Sequence, residues 1–202
     1  MHCQPFAKSK HFYTPSSEGW NFLHRVKKDT PMNKLFSAVV LAASALGSVS
    51  AAYAADVTFA VGSTDESTMV YRVGAQFDFN HRWMDSATGH LGGYWDAGYT
   101  YWEGDKAANN HSLSFSPVFV YEFSGSNVRP YIEAGVGVAF FSNTELEGSD
   151  LGSSFQFEDR LGVGLRFAAQ EVGLRALHYS NAGLKEPNNG IEAYTLHYRL
   201  SF

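Results

Sequence analysis

The sequence predicts an all-β fold, an eight-stranded antiparallel transmembrane β-barrel over residues 55–202, and three observations predict it. After residue 55, apolar and polar residues alternate with period two, without a sustained helical period. Turn-rich clusters cut this alternation into eight segments, an even number, as in single-chain bacterial barrels. One face of these segments is too aromatic for water, while the other is too charged for a dry core.

The elements begin only after a processing segment. Residues 32–54, "MNKLFSAVVLAASALGSVSAAYA", combine Lys34, a short apolar run and the small-residue ending Ala52-Tyr53-Ala54, which together read as a secretory signal peptide. Residues 1–31 lack apolar periodicity, hold the one cysteine, Cys3, and read as an upstream extension outside the native protein. Six of the fifteen basic and two of the twenty acidic residues precede residue 55, which leaves nine against eighteen and a net charge of about −9. That charge argues against nucleic acid as a partner. Without cysteine the exported chain forms no disulfide, and no stretch after residue 55 reaches the roughly 20 apolar residues of a spanning helix.

Strands are expected near 56–63, 67–80, 90–102, 110–123, 128–141, 153–168, 171–180 and 190–202. In the second, Met69, Tyr71, Val73, Ala75, Phe77 and Phe79 oppose Arg72, Gln76, Asp78 and Asn80. The third and fifth add Asp96 and Glu133 to the polar parity. In the fourth, Leu113, Phe115, Pro117, Phe119, Tyr121 and Phe123 oppose Ser112, Ser114, Ser116 and Glu122. In the sixth, Phe155, Phe157, Leu161, Val163, Leu165 and Phe167 oppose Gln156, Glu158, Arg160 and Arg166; Asp159 interrupts the apolar parity, through a bulge or an interfacial position. The seventh places Val172, Leu174 and Ala176 outward opposite Arg175. The eighth does the same with Tyr194, Leu196, Tyr198, Leu200 and Phe202, opposite Arg199.

A closed barrel in a bilayer reconciles the two faces, with aromatic and aliphatic side chains toward lipid and a satisfied polar network inside. A soluble lipocalin-like barrel would invert them and strand the charges in its core. Small eight-stranded barrels fill their interiors with side chains, so no pore is expected. The ending "YTLHYRLSF" resembles the last strand of bacterial outer-membrane proteins. With both termini periplasmic, the connections near 103–109, 142–152 and 181–189 fall outside the cell, and those at 124–127 and 168–170 inside. The connection around 81–89 is long for the inner side.

The stretch "HYSNAGLKEPNNGIE", residues 178–192, then carries the chemistry. His178 and Ser180 continue the outward parity of the seventh strand, and Glu192 shares that of the eighth. Alternate residues on one strand face lie about 6.5 Å apart, and a cross-strand neighbour reaches the same imidazole. An ionised carboxylate and a histidine facing lipid are costly. They either mark the headgroup zone or form an acyl-hydrolase, with Ser180 as nucleophile, His178 as general base and Glu192 orienting the imidazole.

Eight strands, the terminal Phe202 and the His178, Ser180 and Glu192 arrangement resemble the lipid A 3-O-deacylase family of Gram-negative outer membranes, PagL. The resemblance covers the whole mature chain. It implies hydrolysis of the ester at position 3 of lipid A in the outer leaflet, near the extracellular side, releasing a 3-hydroxy fatty acid without metal or cofactor. The expected partners are lipid A or lipopolysaccharide as substrate and outer-membrane lipid, with a homodimer through the lipid face left open. Asn181 and Gly183, directly after the nucleophile, are the expected oxyanion-hole donors, although "SNAG" and "PNNG" are also turn chemistry that Asn188 shapes. Lys185 and Lys106 are candidates for a lipid A phosphate, against the alternative of solvated loop cations. Glu145, Glu147 and Asp150 are candidates for sharing divalent cations with lipopolysaccharide but match no calcium loop. His111 is expected at the rim and His197 inside, with no zinc cluster. Two other functions stay open on sequence alone: a non-enzymatic barrel for adhesion or membrane integrity, and a lipid A acyltransferase.

Overall fold

The computed structural model describes residues 55–202 apart from Lys106. The expected extension, the signal peptide and Lys106 lie outside the described residues. Ten strands form: β1 (Asp56–Thr64), β2 (Met69–Asp78), β3 (Gly89–Trp102), β4 (Asn110–Phe123), β5 (Arg129–Phe141), β6 (Glu145–Leu146), β7 (Ser149–Asp150), β8 (Phe155–Phe167), β9 (Gln170–Ser180) and β10 (Ile191–Leu200). All but β6 and β7 close into one antiparallel barrel in the order β1-β10-β9-β8-β5-β4-β3-β2. The closing pair runs from Val57 opposite Leu200 to Thr64 opposite Ala193. Closure leaves no strand edge unpaired, which a spanning sheet requires because hydrocarbon offers backbone groups no partner.

The alternation decides which way each side chain points. Leu113, Val136, Leu161 and Leu174 stand on the outside, each more than half exposed. The intervening Ser112, Glu133, Arg160 and Arg175 are buried within. Inside, Arg160 Nη2 donates to Asp96 Oδ2 at 2.7 Å and to Glu158 Oε1 at 2.6 Å, and Arg72 also pairs with Asp96. Glu158 accepts from Ser116 Oγ and Tyr179 Oη, both at 2.9 Å. A second group joins Arg175 to Glu133 at 2.6 Å, with Tyr94 Oη donating to the same carboxylate. His197 is buried against Glu171 and Tyr131, as its parity predicts. Toward the Ser180 end the filling turns apolar: Trp102, Phe141, Leu146, Leu151, Tyr179 and Ile191 form one cluster. At the opposite end a polar recess of about 490 Å³ remains, lined by Asp56, Gln76, Tyr94, Glu122, Arg166 and Arg199.

Two details depart from the sequence reading. Between β5 and β8 the chain adds the short β6–β7 hairpin, turning at Glu147 and Gly148 with φ of 51° and 98°. Two-residue strands are too short for periodicity to reveal. Asp159 is no bulge: the β8 register runs without a break through Asp159, opposite Val136 on β5 and His178 on β9. It therefore holds an outward position by ordinary alternation. Beyond β2 the long 79–88 connection folds back, and Trp83 forms a bridge with Leu91.

Candidate active site

β9 and β10 pair so that Glu192 lies directly opposite His178. Their side chains meet on the outer face, with His178 Nδ1 3.0 Å from Glu192 Oε1. A carboxylate only accepts, so Nδ1 donates to it. Both side chains are about two-fifths exposed, 41% and 44%, on the apolar outside of the barrel. Ser180 is the last residue of β9, two beyond His178 on the same face and opposite Phe157 of β8. Its hydroxyl makes no hydrogen bond among the described residues, and catalytic hydrogen bonds of this kind commonly tighten only around substrate.

The loop after Ser180 is held by its side chains. The Asn181 carbonyl accepts the Leu184 N–H at 3.1 Å across a tight turn in which Ala182 and Gly183 have φ of 54° and 74°, the signature of a type I′ turn. Asn181 itself is buried and fully engaged. Its amide donates to the carbonyls of Leu151 at 2.9 Å and Lys185 at 2.7 Å, and its N–H donates to Asn188 Oδ1 at 2.9 Å. Its donors are engaged within the loop, and its amide ties the site loop to the β6–β7 region. The turn leaves the N–H groups of Ala182 and Gly183 without backbone partners among the described residues, so Gly183 keeps its candidacy and Ala182 joins it.

Gly190 is a residue the sequence marked only as a turn former. Its φ is 65°, and a Cβ built there would lie 3.2 Å from His178 Cε1, 3.2 Å from the Tyr179 carbonyl oxygen and 3.8 Å from His178 Nε2. The bare Cα thus lets the imidazole lie against β10. The signal in the sequence was a glycine one position before the strand that carries Glu192.

The remaining candidates are placed as follows. Lys185 is exposed in the loop, and its ammonium makes no ion pair among the described residues. Glu147 is buried and accepts the Asp105 N–H at 2.7 Å and the Ala107 N–H at 3.2 Å, so it braces the 103–109 loop. Glu145 and Asp150 face each other across β6 and β7, and Asp150 caps the Gly152 N–H at 2.8 Å. These acids do not converge, and no group of three metal-ligating side chains exists among the described residues. His111 sits at the rim, where Tyr99 Oη lies 2.6 Å from its Nδ1.

Below His178 the outer wall dips into a depression of about 500 Å³, lined by Phe119, Ala134, Val136, Leu161, Ala176 and Tyr194 together with Asp159, His178 and Glu192. The small residues Ala134 and Ala176 leave room between the large ones. The site thus joins a polar triad at one end of β9 to an apolar strip along the membrane-facing wall.

Residues 69–201 match the model of the lipid A 3-O-deacylase (PagL) family. Over 171 residues the chain is 58% identical to the lipid A deacylase PagL of Pseudomonas aeruginosa, covering 84% of this chain and 99% of that protein. It is 36% identical over 121 residues to the lipid A deacylase PagL of Bordetella bronchiseptica, covering 55% of this chain and 67% of that protein. The crystal structure of the outer membrane enzyme PagL superposes with a TM-score of 0.70 at 59% identity, covering 73% of this chain and 99% of that one. A closed eight-stranded barrel, an outward-facing histidine-carboxylate pair beside a serine, and these likenesses agree: the chain belongs to the lipid A 3-O-deacylase (PagL) family.

Proposed function

We propose that the protein is an outer-membrane lipid A 3-O-deacylase that hydrolyses the ester of the 3-hydroxyacyl chain at position 3 through Ser180, His178 and Glu192. The observation that carries this reading is the His178–Glu192 hydrogen bond on the lipid-facing wall, two residues from a serine that shares its face. Ser180 Oγ attacks the ester carbonyl carbon, and its proton passes to His178 Nε2. Glu192 stabilises the resulting imidazolium. The oxyanion of the tetrahedral intermediate accepts from the N–H groups of Gly183 and Ala182. Collapse breaks the bond to the sugar oxygen, which takes the proton from His178 and leaves as the free 3-hydroxyl of lipid A. Water, deprotonated by the same imidazole, then attacks the acyl-enzyme and releases the 3-hydroxy fatty acid.

The surroundings support the assignment of substrate. An outward triad at the rim of an apolar wall reaches an ester at the headgroup boundary while the acyl chain stays in lipid, with the triad end of the barrel directed to the outer leaflet. Every protein group the proposed steps use is a side chain or backbone N–H of this chain. The test is turnover of lipid A by purified protein in detergent, comparing wild type with Ser180→Ala and His178→Asn. Both variants are expected to be inactive while remaining folded. Retained activity in Ser180→Ala would remove the serine from the mechanism, and a heavier product would reassign the protein as an acyltransferase.

A further inference from the structure

The loop that follows Ser180 has little of its own to hold it. Residues 182–187 are all exposed, so the Ala182–Gly183 turn is anchored through no apolar side chain. Donors to an oxyanion must nevertheless be fixed to a fraction of an ångström, and a misplacement of about 1 Å costs on the order of 10²-fold in rate. What fixes this loop comes from a distant part of the chain, the end of β7 and the three residues after it.

That segment is firmly seated. Leu151 is buried in the apolar cluster, and its N–H donates to the Thr144 carbonyl at 2.7 Å. Its carbonyl accepts twice, from Asn181 Nδ2 at 2.9 Å and from Gln156 Nε2 at 3.1 Å. The buried Gln156 amide also donates to the Ser153 carbonyl at 2.6 Å. Asp150 accepts the Gly152 N–H through its side chain at 2.8 Å and the Asn189 N–H through its carbonyl at 3.3 Å. Hydrogen bonds thus reach the loop near both of its ends, and the stretch between them is held by contact with Gly152.

Gly152 is buried, with a φ of 70°. A Cβ built there would lie 2.0 Å from the Pro187 carbonyl oxygen and 3.1 Å from that of Lys185. Both are backbone atoms, so a side chain is accommodated only by moving the loop. The Lys185 carbonyl also accepts the Asn181 amide, which carries any such movement to the residue after Ser180. Gly148, in the turn of the same hairpin at a φ of 98°, has nothing within 4 Å of an added Cβ. One glycine serves backbone conformation alone, and the other also serves close approach.

We propose that Gly152 is a positioning residue: its bare Cα lets the segment after β7 seat Lys185–Pro187 and so fix the Ala182–Gly183 turn relative to Ser180. The assignment rests on the reading of Ser180, His178 and Glu192 as a lipid A esterase. Oxyanion donors act in the transition state, so displacing them lowers kcat and leaves KM unchanged.

The experiment uses the full-length protein in detergent micelles, with lipid A as substrate and a fluorophosphonate probe that labels a reactive serine. Gly152→Ala is expected to lower kcat roughly 10- to 100-fold at unchanged KM, and to label every folded molecule but more slowly than wild type. Gly148→Ala, which strains the hairpin and touches nothing, is expected to keep the wild-type kcat. Gln156→Met removes the donor beneath Leu151 and Ser153 and is expected to lower kcat several-fold in the same way. Folding of each variant is checked by the gel-mobility shift of the closed barrel on boiling. A folded Gly152→Ala with wild-type kcat overturns the proposal; where that variant does not close, Gln156→Met with wild-type kcat overturns it instead. An equal loss in Gly148→Ala also overturns it, because backbone strain alone would then explain the effect. So does a smaller labelled fraction at the wild-type labelling rate, the mark of a destabilised barrel. A wild type that neither turns over lipid A nor labels at Ser180 would instead sink the esterase reading itself.

Discussion

At the scale of single residues, the arrangement of Ser180, His178 and Glu192 leads to unequal consequences. Ser180→Ala removes the proposed nucleophile and is expected to lower kcat by about 10⁴-fold or more. Glu192→Gln keeps the shape but exchanges an acceptor-only group for one that also donates. It is expected to cost on the order of 10²- to 10⁴-fold in kcat with little change in KM, measured on lipid A in micelles. Gly190→Ala would press a methyl against the His178 ring and the Tyr179 carbonyl at a positive φ. It should reduce kcat while the barrel still forms. Parity alone placed His178, Ser180 and Glu192 on one face, because a strand sends alternate residues the same way. It had no means of showing that the Asn181 amide turns inward to Leu151 and Lys185, since a loop has no period.

At the scale of elements, the strands were legible because their two faces differ so sharply in chemistry. All eight barrel strands fall within two residues of the expected bounds at each end. The expected second strand ran past Asp78 and the expected sixth began before Phe155, since polar residues at strand ends fit strand and loop equally well. The unexpected β6–β7 hairpin buries Leu146 and Leu151 over the apolar cluster at the triad end. From there Leu151 accepts the Asn181 amide, which links a distant connection to the loop after the nucleophile. Inside the barrel, the ion pairs bind neighbouring and facing strands together. Replacing Arg175 by Leu would leave the buried Glu133 carboxylate without its cation. Loss of one partner from a buried pair costs about 3–5 kcal/mol, so the variant should unfold at distinctly lower denaturant concentration, as followed by gel mobility or tryptophan fluorescence.

At the scale of the whole molecule, the barrel turns its chemistry outward. Its interior is occupied from the Glu171–His197 pair at one end to Trp102 and Leu151 at the other, so planar-bilayer recordings should show no conductance steps. His178, Ser180 and Glu192 stand instead on the outer wall, where the proposed reading has an ester reach them from the membrane. The whole-molecule claim is that these three residues remove an acyl chain from lipid A in the outer leaflet. Mass spectrometry of lipid A from cells producing the wild-type protein or its Ser180→Ala variant tests it most directly. The account predicts a loss of mass equal to one 3-hydroxyacyl group with wild type and an unaltered lipid with the variant. The same loss in the variant, or no loss with folded wild type in the membrane, would contradict it.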